Sequence, residues 1–146
     1  MKNINAYLSF NGQCREAMNF YQQTFGGELT IMTFGESPMA ENTPAEAHDN
    51  VLHSCLINGD VTLMASDMAG PEGFVPGNTV SLMISCSSHE EITDLFSKLS
   101  SDGTVTCPLG EQFWGSTFAS LTDKFGINWL LEYSKSEGCA NETSNA

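Results

Sequence analysis

Residues 4–10 alternate: Ile4, Ala6, Leu8 and Phe10 share one side, and Asn5, Tyr7 and Ser9 the other. That period of two predicts a half-buried strand, broken at Asn11-Gly12. From Gln13 to Phe25 the apolar residues Ala17, Met18, Phe20, Tyr21 and Phe25 recur at helical spacing, and Gly26-Gly27 supplies a left-handed stop. Glu28 to Phe34 reads as a second strand, followed by a loop through Glu46 that carries proline and glutamate. Val51–Ile57 and Val61–Ala65 read as two strands joined by the turn Asn58-Gly59-Asp60. The predicted order is β-α-β-β-β.

The order then repeats. Thr79 to Ser85 alternates, with Val80, Leu82 and Ile84 on the apolar side. Ser88-His89-Glu90-Glu91 has the form of a capping box and opens a helix carrying Ile92, Leu95, Phe96 and Leu99, ended by Gly103. Thr104–Cys107 reads as a short strand, 108–115 as a loop, and Ser116–Leu121 and Ile127–Tyr133 as two strands around Asp123-Lys124-Phe125-Gly126. Residues 1–134 therefore form one domain of two repeated modules, about 3–67 and 78–134, with a linker at 68–77 and a polar tail at 135–146. The fold class is α+β. Each helix covers one face of its small mixed sheet, and the uncovered faces are expected to pair into a curved, incomplete barrel with a central cleft.

Composition narrows the partners. Lys+Arg total 5 against Asp+Glu 18, a net charge of -13, too few cations to neutralise a phosphate backbone or dock on an anionic membrane. The five cysteines, Cys14, Cys55, Cys86, Cys107 and Cys139, are odd in number and lack any C-x-x-C spacing. They read as reduced thiols of a cytoplasmic protein. No apolar run approaches the length of a membrane span, and the first residues have no apolar leader segment.

Four stretches resemble the PhnB-like branch of the vicinal-oxygen-chelate superfamily, the fold of glyoxalase I, bleomycin-resistance proteins and extradiol dioxygenases. They are Tyr7-Leu8-x-Phe10-Asn11-Gly12-x-Cys14-x-Glu16-Ala17-x-x-Phe20-Tyr21-x-x-x-Phe25-Gly26-Gly27, Phe34-Gly35-Glu36-Ser37-Pro38, Phe113-Trp114-Gly115 and Asp123-x-Phe125-Gly126-x-x-Trp129. In metal-using members, histidine, glutamine or glutamate ligands sit on the concave sheet face. The resemblance carries those positions to Asn5 (or Ala6), Thr79, Leu130 and Met64, none of which suits a divalent site of nitrogen and oxygen donors. No metal and no cofactor are expected. The glycines form no G-x-G loop after a strand, so the methyltransferase label often attached to this branch finds no methyl-donor site.

The remaining chemistry is sparse. The catalytic candidates are Glu132, which alternation puts on the concave face with Asn128 and Leu130, Glu111 in the second loop, and His53. A carboxylate among apolar neighbours can serve as a base, but a residue near a strand end is equally well simply exposed. His53, five residues from His48 and hence on the opposite face, is more readily a hydrogen-bonded structural histidine. His89 reads as solvated. Cys14 at a helix start is placed for an activated thiol or for packing, and packing is favoured.

The expected cleft lining is Tyr7, Thr79, Ser81, Phe113, Trp114, Asn128 and Glu132. Phe113 and Trp114 serve equally well as packing of their loop. The leading function is binding of a small molecule, neutral or cationic, in a protein expected to be a homodimer. A metal-dependent glyoxalase- or dioxygenase-type enzyme and a drug-sequestering bleomycin-resistance-type protein are the alternatives.

Overall fold

Alternation and helical spacing both resolve into packed elements. The computed structural model of the protein describes residues 1–68 and 73–134; the tail at 135–146, Cys139 and linker positions 69–72 lie outside the described residues. The first unit contains β1 (Ala6–Ser9), α1 (Cys14–Phe25), β2 (Glu28–Thr33), β3 (Val51–Asn58) and β4 (Val61–Ser66). Its sheet order is β1-β4-β3-β2, with β1 parallel to β4 and the other pairs antiparallel. The second unit repeats the plan with β5 (Leu82–Cys86), α2 (His89–Leu99), β6 (Thr104–Glu111), β7 (Thr117–Thr122) and β8 (Asn128–Tyr133), in the order β5-β8-β7-β6. The boundary between the units falls at Val75/Pro76, inside the stretch read as a linker.

Each helix buries one stripe. In α1, Cys14, Ala17, Met18 and Tyr21 are buried against the sheet positions Ser54, Leu56, Leu63 and Ala65. In α2, Ile92, Leu95 and Leu99 meet the buried Ala119, Leu121, Trp129 and Leu131. Alternate residues of the same strands stay open: Tyr7, His53, Met32 and Met83 are exposed, and Cys55, Met64, Leu130 and Glu132 half-buried. Each sheet thus has one covered and one open face.

In each unit one carboxylate gathers three N–H groups. Asp67, just after β4, accepts the Gly12 and Cys14 N–H groups on Oδ1 (2.8 and 3.0 Å) and the Val51 N–H on Oδ2 (2.9 Å). It therefore caps the start of α1, where orphan donors and the helix dipole both favour an anion. Asp123 accepts the Phe125 and Ile127 N–H groups on Oδ1 (2.8 and 3.0 Å) and the Trp129 indole N–H on Oδ2 (2.8 Å). The Asp123-x-Phe125-Gly126-x-x-Trp129 pattern is thus a turn held by one buried carboxylate. At α2, Ser88 Oγ accepts the Glu91 N–H (3.0 Å) and the Glu91 carboxylate reaches back to the Ser87 N–H (2.8 Å).

Three local expectations need correction. The second module's first strand starts at Leu82, not Thr79; Val80 precedes it and is exposed, so it does not belong to the covered face. The third element of that module runs to Glu111 instead of stopping at Cys107. Pro108 cannot donate to a ladder, but β6 is an edge strand whose register slips around Cys107 and Gly110, which lets the proline stand inside it. Gly103 does not end α2, which stops at Leu99; a side chain there would collide with the Thr122 carbonyl oxygen, so close approach to β7 demands glycine.

Candidate functional site

The β7–β8 hairpin builds the most chemically distinctive surface. Register pairs Glu132 with Phe118 on β7 and with Ser85 on β5, so Ser85, Glu132 and Phe118 form one row on the open face. Trp114, from the five-residue loop 112–116 between β6 and β7, lies edge-on to Phe118 with centroids 6.1 Å apart. Phe113 in turn meets Trp114 edge-on at 4.9 Å. Trp114 is 53% exposed and Phe113 97%, so these rings stand out from the sheet instead of sealing its core. The loop keeps that projection because Gln112 and Ser116 close its base (N–H to carbonyl, 2.8 Å) and the Gly115 N–H bonds the Gln112 carbonyl (2.9 Å). The result is a half-buried carboxylate beside a short ladder of aromatic rings.

The other anticipated residues distribute as follows. Asn128 opens β8, but its amide donates to the Gly77 and Val80 carbonyls (both 3.1 Å) and accepts from Thr122 Oγ1 (2.9 Å). It ties the chain ahead of β5 to the sheet. Thr79 and Ser81 lie in that exposed run before β5. Glu111 pairs with Thr117, in the row of Tyr133 and Cys86, which alternates away from Glu132. The two glutamates therefore face opposite sides of one sheet and cannot share a proton. His53 belongs to the first unit, where its ring lies 6.1 Å from that of Tyr7 on the open face.

Several residues of the motif stretches are occupied by structure. His48 Nε2 meets the Ala40 and Thr43 carbonyls (3.0 and 2.9 Å), pinning the two 3-10 turns Ala40–Asn42 and Ala45–Ala47. Gly35 packs against His48, its N–H on the His48 carbonyl (2.9 Å). Glu36 accepts from Thr33 Oγ1 (2.8 Å), and the buried Ser37 hydroxyl donates to the Phe34 carbonyl (2.7 Å). Cys14 is wholly buried beside Ser54 Oγ (3.5 Å), and burial pushes its thiol up to about 11. Burial likewise raises Cys86 to about 11. Neither is an activated nucleophile, since the reactive form is the thiolate.

The superfamily's metal positions do not fit the group. Asn5 and Thr79 are exposed and outside the strands, Leu130 offers no donor, and Met64 offers only a thioether. Among the described residues no three His, Cys, Asp or Glu side chains gather as an ion site. Ser85 and Phe118 were not anticipated from sequence. The alternation marks their faces, but that they flank Glu132 depends on the pairing of β5, β8 and β7.

Comparison with known proteins gives the chain its relatives. The family described as 3-demethylubiquinone-9 3-methyltransferase matches residues 2–132. Protein YjdN of Escherichia coli (strain K12) is 33% identical, spanning 92% of this chain and 97% of its own. Two solved structures are similar throughout. Protein PA1353 from Pseudomonas aeruginosa is 36% identical at a TM-score of 0.79, covering 92% of this chain and 98% of its own. A putative 3-demethylubiquinone-9 3-methyltransferase, PhnB protein, from Bacillus cereus is 30% identical at 0.73, covering 91% and 100%. At 14% identity, a glyoxalase/bleomycin resistance protein/dioxygenase family enzyme from Burkholderia phytofirmans PsJN still superposes at 0.60, which shows the shared fold.

Proposed function

Because the chain belongs to the 3-demethylubiquinone-9 3-methyltransferase-like family, the PhnB-like members of the glyoxalase/bleomycin-resistance superfamily, we propose that it binds a small neutral or cationic organic molecule, with no catalytic divalent metal. The observation that carries this reading is Glu132 beside the Phe118, Trp114 and Phe113 rings. A carboxylate next to aromatic rings suits an alkylammonium group, which gains charge pairing from one and attraction to the ring quadrupoles from the others. The ring contribution alone is about 0.5–1 kcal/mol at an exposed site and about 2 when water is excluded.

Anionic ligands are disfavoured on two grounds. The net charge is -13, and the helix N-termini that ordinarily receive phosphates or carboxylates are already capped, α1 by Asp67 and α2 by Ser88. The same capping argues against a methyl-donor site at the turn from β1 into α1, where Asn11-Gly12-Gln13 carries a single glycine. The family's description names a methyl transfer, but the donor set of this chain favours binding over that chemistry. Four free cysteines among the described residues suit a cytoplasmic location. Exposed Ile57 and Met83 on the open faces suit a homodimer, checked by sedimentation as twice the chain's mass.

Calorimetric titration with benzyltrimethylammonium and with its uncharged carbon isostere tests the reading. The cation should bind more tightly, and Glu132→Gln and Trp114→Ala should each weaken it about tenfold while leaving the melting temperature of the free protein nearly unchanged. Equal affinity for the two isosteres, or no response to either substitution, would refute it. Turnover lost in Glu132→Gln with binding retained would instead identify an enzyme using that carboxylate as base.

A further inference from the structure

The open face of the first unit carries soft donors that the small-molecule reading does not use. Cys55 on β3 pairs with Met64 on β4, and His53 on β3 pairs with Met32 on β2. His53 and Cys55, two apart on one strand, point the same way, so the four side chains occupy one block of the sheet surface. Cross-strand partners hold their Cβ atoms about 4.5–5.5 Å apart. Positions two apart on one strand are separated by about 6.6 Å along it. Their strand neighbours confirm the facing: Ser54, Leu56, Leu63 and Ala65 are buried under α1, whereas His53 and Met32 are exposed and Cys55 and Met64 half-buried. Tyr7, the register partner of Met64 on β1, has its ring 6.1 Å from His53 and stands at the margin of the block.

We propose that Cys55, Met64 and His53 form a binding site for monovalent copper, Cu(I), with Met32 at its edge. The ligand chemistry discriminates. A thiolate, a thioether and an imidazole make a soft, low-coordinate set that suits Cu(I) and is poor for the oxygen-preferring divalent ions. Thioethers are flexible enough to reach an ion from a cross-strand position, and a three-coordinate ion needs no fourth residue. Binding removes the proton of the Cys55 thiol, so the neutral thiol and Cu(I) yield the thiolate complex and one released proton. Competing thiols are disfavoured: Cys14 and Cys86 are buried with thiols raised to about 11, and Cys107 lies on the edge strand of the other unit.

The test is an anaerobic titration of the full chain with Cu(I) alone, delivered from a chromophoric chelator that reports its loss. One equivalent should transfer to the protein. Cys55→Ser and Met64→Leu should each weaken the affinity at least about tenfold, since even second-shell losses around metal ligands cost that much. Cys107→Ser and Cys139→Ser should leave it unchanged. Met64→Leu conserves volume and every cysteine, so it keeps the test sharp if Cys55→Ser folds poorly. The proposal fails if no copper leaves the chelator, if Met64→Leu binds as the parent does, or if affinity follows Cys107 or Cys139. It fails equally if zinc competes at equal concentration.

Discussion

Asp67→Ala should be among the most destabilising single substitutions in the first unit. Its carboxylate accepts three backbone N–H groups from two segments distant in sequence, Gly12 and Cys14 at the start of α1 and Val51 at the start of β3. Cys14 and Val51 are wholly buried, so their N–H groups have no water to turn to once the carboxylate is gone; Gly12 is exposed and recovers a water partner. Each buried donor left unpaired costs about 1–3 kcal/mol. Loss of the charge at the helix N-terminus adds about 0.3–1 kcal/mol. The expected loss is about 2–7 kcal/mol, a large share of the roughly 5–15 kcal/mol that holds a domain folded. Asp67→Asn should fall between parent and alanine, because one amide oxygen still accepts while the amide nitrogen faces a donor.

Urea unfolding followed by circular dichroism measures the loss as a lower midpoint at unchanged slope. Hydrogen exchange adds a local readout, in which the Val51 amide should exchange faster than its neighbours on β3. A loss below about 1 kcal/mol for Asp67→Ala, or a protected Val51 amide in that variant, would show that these bonds do not hold the helix to the sheet.

Other substitutions follow the same logic. Gly27→Ala should cost more than about 2 kcal/mol by thermal or urea unfolding, because φ is +99° and the new methyl would run into the Ile57 carbonyl oxygen. Ser88→Ala removes the N-cap of α2 and should cost about 1 kcal/mol, with Glu91 keeping its bond to Ser87. Trp129→Phe deletes the donor to Asp123 and should cost about 1–3 kcal/mol, read as a lower midpoint. The Cys14 and Cys86 thiols rise from 9.0 to about 11 on burial, so the folded state holds more protons than the unfolded state between those pH values. Stability should therefore be insensitive to these groups below pH 9 and fall above it by about 1 kcal/mol per pH unit for each thiol; flat stability to pH 11 would contradict the burial.

The sequence alone determined the two β-α-β-β-β modules and their family. The reason is that alternation, helical spacing and glycine-bearing turns are local signals, and each module buries one face by local rules. It also offered Glu132 and Trp114 as candidates, because charge and aromatic character are visible one residue at a time. It misjudged where β5 begins and where β6 ends, since the tolerance of Pro108 depends on β6 being an edge strand, a property of the whole sheet.

What only the tertiary structure decided was adjacency. Glu111 and Glu132 look like equivalent carboxylates in sequence, yet register sends them to opposite faces. Asn128 looks like a free polar side chain until the chain before β5 claims its amide nitrogen and Thr122 on β7 its amide oxygen. Cys55, Met64 and His53 come from two strands whose partnership no single-strand pattern records. Side-chain period fixes a face but not a neighbour, and neighbours are set by strand pairing, which depends on long-range hydrogen bonds and on which side each helix covers.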